Sequence, residues 1–369
     1  TGVYPFGLAG LAGLFMGSFY KLEHFQFGGA AVLTHKPSCS AYRAPATQAT
    51  FFALDCVIDE IATQLGVDPL DFRINNASRP GDPMINENPW PDMAVEEVLD
   101  ALKNHPVWKN RDAARKQGRG VGVALGGWMG GTEPAVAACA LQHDGSLQVS
   151  LGSVDLNGSN TTMALLAAEA FGISPDSITV KTNDTDTAPY SGGSGGSKIT
   201  YTTGSSVVAA AREAREQAIS IAAQELEAAE EDLEITEGRV QVRGNPESHL
   251  TLETIASKSM NFGGKYMPVH GNGRTAITKP SPAMCAQLVE VEVDPDTGHP
   301  TVHKIVVAQD VGKAINPAAV RGQMMGGAVQ GIGWALHEGL RYDESGQLMT
   351  GSFVDYDLPD FLQAPGEVD

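Results

Sequence analysis

The first candidate for chemistry is a pair of glutamines, Gln323 and Gln330, which stand two helical turns apart in a glycine-rich stretch after Pro317. A helix is predicted there because apolar residues recur at three- and four-residue spacing. The predicted buried stripe consists of Met325, Ala328, Ile332 and Leu336. Each helical glycine costs about 1 kcal/mol relative to alanine, so the many glycines favour close approach of a backbone or ligand. A buried amide there needs a hydrogen-bonding partner. The alternative is tight packing of helices.

The second candidate is the loop Ser191–Ser197, which precedes Lys198 and a predicted helix. A glycine–serine loop before a helix N-terminus offers free backbone N–H groups and a favourable dipole to a phosphate. The order Gly-Ser-Lys differs from the Gly-Lys-Ser/Thr of a P-loop, so that motif is absent. A flexible surface loop is the alternative, although a linker rarely runs directly into a long alanine-rich helix.

Two further segments carry polar groups next to predicted helices. Arg43 follows Tyr42, and arginine is suited to two-pronged binding of a planar oxygen-bearing or phosphate-like group. The alternative for Arg43 is a surface salt bridge. Another predicted helix is preceded by Asn157, Ser159 and Asn160. These residues either cap the helix or donate hydrogen bonds to a ligand at its N-terminus.

These candidates must be positioned by a mixture of helices and strands. Helices are predicted over 48–65, 93–104, 161–171, 204–229 and from 317 onward. Strands are predicted over 30–34, 121–125, 178–181, 233–235, 240–242, 284–293 and 302–309. The first of these helices is expected to bury an apolar face that includes Phe52 and Leu65. Asp144-Gly145 predicts a hairpin turn, as does the stretch 343–346. Hairpins combined with long helices favour an α+β fold with mixed sheets.

Composition limits the classes of partner. The chain has 369 residues, enough for two or three domains, with a net charge of −19. Such an acidic surface repels nucleic acid and anionic membranes. No uncharged apolar run approaches the length of a transmembrane helix. The four cysteines lack C-x-x-C spacing and the histidines lack zinc-site spacing, so no metal site is predicted from side chains of this chain. Isolated cysteines favour a reducing compartment.

Three groups of motifs, in this order, resemble the molybdenum hydroxylases. The first is AYRAP with the helix ending IATQLGVDPLDFRINNA, and the second runs from GSVDL through TAPYSGGSGGS to YTTG. The third runs from DVGKAINPAAVRGQMMGGAVQGIGWALHEGL to FVDY. This family includes xanthine dehydrogenase, aldehyde oxidase and aerobic carbon monoxide dehydrogenase. The resemblance is to the C-terminal part of the molybdopterin-binding large subunit. It implies that residues 1–117 are the C-terminal part of the first molybdopterin-binding domain. Residues 118–369 then form the second such domain, without its C-terminal end.

The resemblance also implies roles for individual residues. Arg43 matches the family arginine that lies beside the molybdenum oxo ligands and is the expected catalytic residue. The cofactor-binding residues that it implies are Gly195, Gly196, Ser197, Lys198 and Gln323. Family members hydroxylate a carbon, here that of an aldehyde or an N-heterocycle, with oxygen derived from water.

The implied cofactor is molybdopterin, with the cytosine dinucleotide form as one variant. Electrons leave such enzymes through [2Fe-2S] centres and often FAD, which are expected on partner chains or domains. Further implied partners are the remaining part of the large subunit and a second copy of the complex. A cytoplasmic location is expected, with the periplasm as an alternative.

The sequence departs from the family pattern at several points. Leu156-Asn157-Gly158 stands where many members have Gly-Gln-Gly, and the upstream G-G-x-x-G-G loop is absent. Ala44 occupies the place of the cysteine found in some carbon monoxide dehydrogenases, and Cys39 is offset, which disfavours carbon monoxide chemistry. The family's catalytic glutamate is expected beyond Asp369, since Glu367 comes too early in the pattern. The isolated chain is therefore expected to be inactive. The alternatives are a catalytically silent homologue kept for assembly and a generic phosphate-binding protein.

Overall fold

The computed structural model describes the chain except for residues 1–6, 38–40 and 183. Cys39, whose position bears on the expected chemistry, therefore lies outside the described residues. Within the described part of the chain, no helix combines the length and the apolar character that crossing a membrane requires.

The chain folds into two compact units. One unit comprises Thr1–Met129, Pro282–Lys313 and Val320–Asp369. The other comprises Gly130–Ser281 and Ala314–Ala319. Each unit has its own sheet and its own hydrophobic core.

The secondary structure alternates helices with short strands. The helices are α1 Leu8–Ser18, α2 Thr47–Leu65, α3 Pro69–Asn76, α4 Val95–Asn104, α5 Pro106–Lys109, α6 Arg111–Lys116, α7 Ser159–Phe171, α8 Ile199–Leu226, α9 Leu252–Met260 and α10 Pro317–Ile332. The strands are β1 Arg119–Trp128, β2 Pro134–Leu141, β3 Leu147–Leu151, β4 Ile178–Thr182, β5 Leu233–Thr236, β6 Arg239–Val242, β7 Asn245–Thr251, β8 His270–Ala276, β9 Ala283–Val293, β10 Pro300–Gln309 and β11 Glu367–Val368. A π-helical turn, Gly333–His337, follows α10.

The first unit is built on a sheet of order β1-β9-β10-β11, in which β9 is antiparallel to both of its neighbours. Helices α2 and α4 pack on this sheet, and aromatic side chains fill much of the space between them. Phe19 makes edge contacts with Phe51 and Trp90, at centroid distances of 4.6 and 5.1 Å. This packing fixes α2, and therefore the loop that carries Arg43 at its N-terminus.

A buried ionic cluster adds to the attachment of α2. Arg73 of α3 is fully buried, and its guanidinium binds Asp55 at 3.2 Å and Asp59 at 2.7 Å, both on α2. Asp55 also accepts hydrogen bonds from the Tyr20 hydroxyl and from the backbone N–H of Leu125 in β1. Burial raises the pKa of Asp55, and the nearby Arg73 charge opposes that shift. The cluster thus ties α2 to α3 and to the sheet through the buried charges of Arg73 and Asp55, with the partly exposed Asp59 at its edge.

The second unit contains a sheet of order β4-β3-β2-β8 and a smaller sheet of order β5-β6-β7. Helix α8 lies along β8 and β2, and its buried side is rich in alanine. A Cβ atom on Gly271 or Gly273 of β8 would clash with backbone oxygens of α8. Glycine at these two positions is therefore what allows the helix to approach the strand so closely.

The α+β class is confirmed, and most of the predicted elements are present within a few residues of their predicted bounds. The hairpin at Asp144-Gly145 joins β2 and β3 as predicted, with Gly145 at a φ of 78°. The predicted strand over 30–34 is wrong, because this segment pairs with no described strand and exposes Val32 and Leu33. A β-branched run forms a strand only where a partner supplies the hydrogen bonds.

Two predicted buried faces also need correction. Ile58 of the predicted apolar face of α2 is buried, whereas Phe52 and Leu65 are 71% and 64% exposed, because the helix turns Asp55 toward the core as well. An acidic residue occupies the inner face there because Arg73 neutralises it. On α10 only Ala328 and Ile332 of the four predicted residues are buried. The π-helical turn changes the residue spacing beyond Ile332, so the predicted stripe does not continue to Leu336.

Candidate functional site

A groove runs between the N-terminal end of α2 and the C-terminal half of α10, within the first unit. Its volume is about 520 Å³. The lining residues are Arg43, Ala44, Gln48, Ala49, Phe52, Gly327, Gln330, Gly331, Trp334 and Ala335. A cavity of this size suits a small organic molecule, and its polar groups are one guanidinium and two amides.

Arg43 and Gln323 meet beside this groove, although 280 residues separate them in the sequence. The Arg43 Nη2 atom donates to the Gln323 Oε1 atom at 3.5 Å, a long and therefore weak hydrogen bond. Both residues are exposed, so their polar groups remain available to a ligand. The prediction of a buried amide at Gln323 is wrong in this respect, because the helix presents it to open space.

The loop that carries Arg43 is held by its own helix. The Gln48 amide donates to the backbone oxygens of Tyr42 and Arg43. Ala44 and Ala46 adopt positive φ angles of 49° and 67°, a region that alanine rarely occupies. Such strained backbone persists only where surrounding contacts enforce it, and it is concentrated at ligand-binding sites.

An aromatic stack joins the same loop to the π-helical turn that follows α10. The rings of Tyr42 and Trp334 are stacked, with centroids 5.1 Å apart and an interplanar angle of 6°. Trp334 belongs to the π-helical turn, and a turn of this kind inside or after an α-helix is frequent at functional sites. Trp334 was missed in the sequence because a lone tryptophan near a helix end carries no pattern.

Two adjacent pairs of residues anchor this π-helical turn. The Tyr356 hydroxyl donates to Glu338 at 2.6 Å, and His337 shares a hydrogen bond with Asp357 at 2.9 Å. The hydrogen bond to Glu338, followed by burial, raises the pKa of Tyr356 to about 12. Segment 352–357 therefore supports the turn that presents Trp334.

The glycines of α10 face open space. Among the described residues, a Cβ atom on Gly322, Gly326, Gly327 or Gly331 would meet no protein atom within 4 Å. Of the two predicted neighbours of these glycines, a close backbone is therefore not found in the described part of the chain, and a ligand stays a prediction. At Gly327 and Gly331, which line the groove, a side chain would instead project into ligand space. Gly327 and Gly331 thus leave open space in the groove beside Arg43 and the amides of Gln48 and Gln330.

The loop Ser191–Ser197 lies in the second unit and runs directly into α8. Gly195 has no neighbour within 4 Å of an added Cβ, whereas Gly196 lies against Gly131 and its carbonyl accepts the Gly131 N–H at 2.6 Å. The N-terminus of α8 has no side-chain cap, so its first N–H groups retain capacity for an anion. Ser197 adopts a positive φ of 59°.

A lysine that binds a phosphate is expected to have an accessible ammonium group, and the side chain of Lys198 is not accessible. Its side chain is 6% exposed, and its ammonium is bound by Glu133 and by the Ser191 carbonyl, each at 2.9 Å. Glu133 itself precedes β2 and was not identified in the sequence, because nothing in its spacing connects it with a loop some 60 residues later.

Several buried polar atoms in this loop and in the segments that end β3 and begin α7 and α8 have no hydrogen-bond partner among the described residues. They are the Oγ atoms of Ser153 and Ser191, the Oγ1 atom of Thr203 and the Oδ1 atom of Asn160. Each unpaired buried group costs about 1–3 kcal/mol. These atoms belong to the segments that end β3 and begin α7 and α8, which is where the sequence predicts ligand contacts.

The expected capping of α7 takes a different form. Asp155 accepts hydrogen bonds from the Asn160 backbone N–H at 3.0 Å and from the Ser159 hydroxyl at 3.3 Å. Neither Asn157 nor Asn160 caps the helix, whose N-cap residue is Gly158. A carboxylate at a helix N-terminus is favourable, so Asp155 satisfies the helix without using the amides.

Glu367, the early match to the family's glutamate motif, lies in β11. Its carboxylate binds the Lys304 ammonium at 2.6 Å across the β10–β11 pair. This ion pair gives Glu367 a structural partner.

Comparison with known protein families gives two matches. The sequence profile of the molybdopterin cofactor-binding domain matches residues 98–365, and a second profile with the same description matches residues 3–77. Together they extend over most of the chain.

Curated relatives and solved structures show the same likeness. The chain is 31% identical, over 96% of its length, to the 6-hydroxypseudooxynicotine dehydrogenase complex subunit gamma of Paenarthrobacter nicotinovorans, covering 47% of that protein. It is 29% identical to the xanthine dehydrogenase molybdenum-binding subunit of Escherichia coli O157:H7, with 92% of this chain and 47% of that protein covered. Carbon monoxide dehydrogenase from Oligotropha carboxidovorans has a TM-score of 0.76 at 27% identity, covering 88% of this chain and 44% of that one. The chain spans about half the length of the curated relatives it matches.

Proposed function

The chain belongs to the molybdopterin-binding large subunits of the molybdenum hydroxylase family, and we propose that it holds the molybdenum cofactor of an enzyme that oxidises an aldehyde or an N-heterocycle. The observation that carries this proposal is the meeting of Arg43 and Gln323 beside the 520 Å³ groove. Relatives named for xanthine, nicotine and aldehyde oxidation support the substrate class.

The residues of the groove have separate tasks in this proposal. Arg43 offers its guanidinium to the oxygen ligands of the metal, since arginine binds such oxygens through two parallel N–H groups. Gln323, with an amide that both donates and accepts, binds the polar edge of the pterin. Gly327 and Gly331, which line the groove, leave the space that a flat heterocycle needs. The bound cofactor would supply the redox chemistry that inserts water-derived oxygen into the substrate.

The loop in the second unit is proposed to take the phosphate-bearing part of the cofactor. Gly195, Gly196 and Ser197 contribute backbone N–H groups, and the uncapped N-terminus of α8 adds a favourable dipole. Lys198 is proposed to act at the same place, as the residue that joins the loop to the helix.

The proposal extends to the assembly. We assign residues 1–117 to the C-terminal part of the first molybdopterin-binding domain and 118–369 to the second. Profile matches at residues 3–77 and 98–365 support the presence of two such domains. We assign the iron–sulfur and FAD centres to partner chains. We further propose that two copies of the complex form a dimer and that the complex is located in the cytoplasm.

The test is the molybdenum content per chain in the complex purified from its native host. Near-stoichiometric metal in the wild type, with a severalfold loss in Gln323→Ala, is the expected result. Gln117→Ala is the matched control, because Gln117 is an exposed glutamine outside the groove. An unchanged molybdenum content in Gln323→Ala would show that Gln323 does not bind the cofactor. A wild-type complex that holds no molybdenum would favour the alternative, a silent homologue retained for assembly.

A further inference from the structure

One carboxylate holds both ends of the glycine–serine loop. Tyr190 and Lys198 are the residues that immediately flank Ser191–Ser197, and both bind Glu133. The Tyr190 hydroxyl donates to the Glu133 Oε1 atom at 2.7 Å, and the Lys198 ammonium lies 2.9 Å from the Oε2 atom. Each oxygen of the carboxylate therefore fixes one end of the loop.

The backbone around Glu133 reinforces this closure. The Gly131 N–H donates to the Gly196 carbonyl at 2.6 Å, and the Val136 N–H donates to the Tyr190 carbonyl at 2.7 Å. Gly192, at a φ of 61°, lies so close that an added Cβ would clash with the Glu133 carboxylate. The segment 131–136 thus holds the loop through backbone hydrogen bonds and close contacts.

The charges at this point are matched. The Lys198 side chain is nearly buried, and an ammonium removed from water needs an anionic partner. Hydrogen bonds from Tyr190 and Lys198 lower the pKa of Glu133, so its carboxylate is ionised at neutral pH. Tyr190 and Lys198 are the two groups responsible for this shift in Glu133.

We propose that Glu133 is a positioning residue, which closes the loop Ser191–Ser197 into the shape that receives the phosphate-bearing part of the cofactor. Lys198 then acts as the anchor of the loop, and phosphate binding falls to the backbone N–H groups between the two anchored ends. This inference rests on the proposed function for its ligand, but the closure of the loop itself is independent of any cofactor.

Hydrogen exchange of the full-length chain tests the closure. Glu133→Gln keeps the shape of the side chain but loses its charge, and we expect amide exchange in residues 191–198 to become about tenfold faster at neutral pH. Exchange in the β3 core, Leu147–Leu151, should not change, which shows that the variant folds. Glu247→Gln, an exposed glutamate of the same unit, is the matched control and should behave as the wild type. Equal exchange of the loop in Glu133→Gln and wild type would overturn the proposal.

The pH dependence of loop protection gives a second readout. Because the folded-state pKa of Glu133 lies below its usual value of 4.5, the closure is complete above that value and is lost as the pH falls through the lowered pKa. Loop protection in the wild type should therefore show an acid transition that Glu133→Gln lacks. An identical acid transition in both proteins contradicts the proposal.

Binding of inorganic pyrophosphate, measured by calorimetry on the full-length chain at neutral pH, connects the closure to the ligand. We expect Glu133→Gln to bind about tenfold more weakly than the wild type and Glu247→Gln to bind equally well. A mobile loop with unchanged pyrophosphate affinity overturns the positioning role while leaving the proposed function intact. A native complex without molybdenum refutes the proposed function, whereas the exchange result still decides whether Glu133 closes the loop.

Discussion

The ring of Tyr42 lies parallel to the indole of Trp334, and through this stack the loop of Arg43 is joined to the end of α10. Offset aromatic pairs of this kind contribute about 0.5–1.5 kcal/mol beyond the area they bury. The stack and the hydrogen bonds from Gln48 hold a loop that contains two alanines at positive φ. Arg43 is therefore presented by a fixed backbone, which is what a residue that must face a cofactor requires.

Replacement of Arg43 tests this presentation directly. Since Arg43 is exposed, Arg43→Ala should leave the free energy of unfolding nearly unchanged. Turnover of the assembled enzyme should fall by about 100-fold or more, because a preorganised donor is lost. Arg43→Lys should recover little, since an ammonium cannot form the two parallel hydrogen bonds of a guanidinium. Steady-state kinetics with an artificial electron acceptor measure the effect, and undiminished activity would assign Arg43 a structural role only.

A large side chain introduced on α10 at the groove should lower the cofactor content of the protein without lowering its thermal stability. Gly331→Leu places a side chain where no protein atom lies within 4 Å, and replacement of a helical glycine stabilises the helix by up to about 1 kcal/mol. The protein should therefore melt at the same or a higher temperature but contain severalfold less molybdenum. Gly326→Leu is the control, because Gly326 has equal free space but does not line the groove. Equal metal content in the two variants would show that the groove does not hold the cofactor.

The buried cluster beneath α2 makes a prediction about stability. Arg73→Ala leaves Asp55 buried without its cation, which should cost about 3–5 kcal/mol in the free energy of unfolding. Lys103→Ala, which breaks an exposed ion pair with Asp71, should have little effect. Urea unfolding of the two variants measures the difference. A small loss in Arg73→Ala would mean that water enters and solvates Asp55.

The hydroxyl of Tyr356 should lose its proton at a higher pH than an ordinary tyrosine. Its folded-state pKa of about 12 lies above the ordinary value of 10.0, so this group contributes stability below pH 10 that is lost as the pH rises through 12. The phenolate absorbance of the wild type minus that of Tyr356→Phe isolates the transition. In Glu338→Gln the transition should move to lower pH, because the hydrogen bond to an anionic partner is the largest cause of the shift. An unmoved transition would show that Glu338 is not that cause.

Local structure was readable in the sequence wherever a short-range interaction defines it. The end of α2 at Gly66 follows from the left-handed conformation that glycine accepts. The segment 30–34 failed as a predicted strand because strand formation depends on a partner elsewhere in the chain.

The candidate site was readable only in part. The residue types in the Arg43 loop, the glycine–serine loop and the glycine-rich helix predicted a cofactor site, and the structure brings Arg43 and Gln323 of that prediction into contact. The contacts of Trp334 and Glu133 carried no local signal, because aromatic stacking and ion pairing depend on distance in space and not on spacing along the chain.

The sequence by itself thus determined the local elements, the family and the residue types available for chemistry, because these follow from local dihedral preferences and from ordered motifs. The tertiary structure alone decided that Arg43 meets Gln323 across 280 residues, that the glycines of α10 face open space among the described residues, and that Lys198 is bound by Glu133. The physical reason is that these relationships result from packing, which brings distant segments together and determines which polar groups remain available to a ligand.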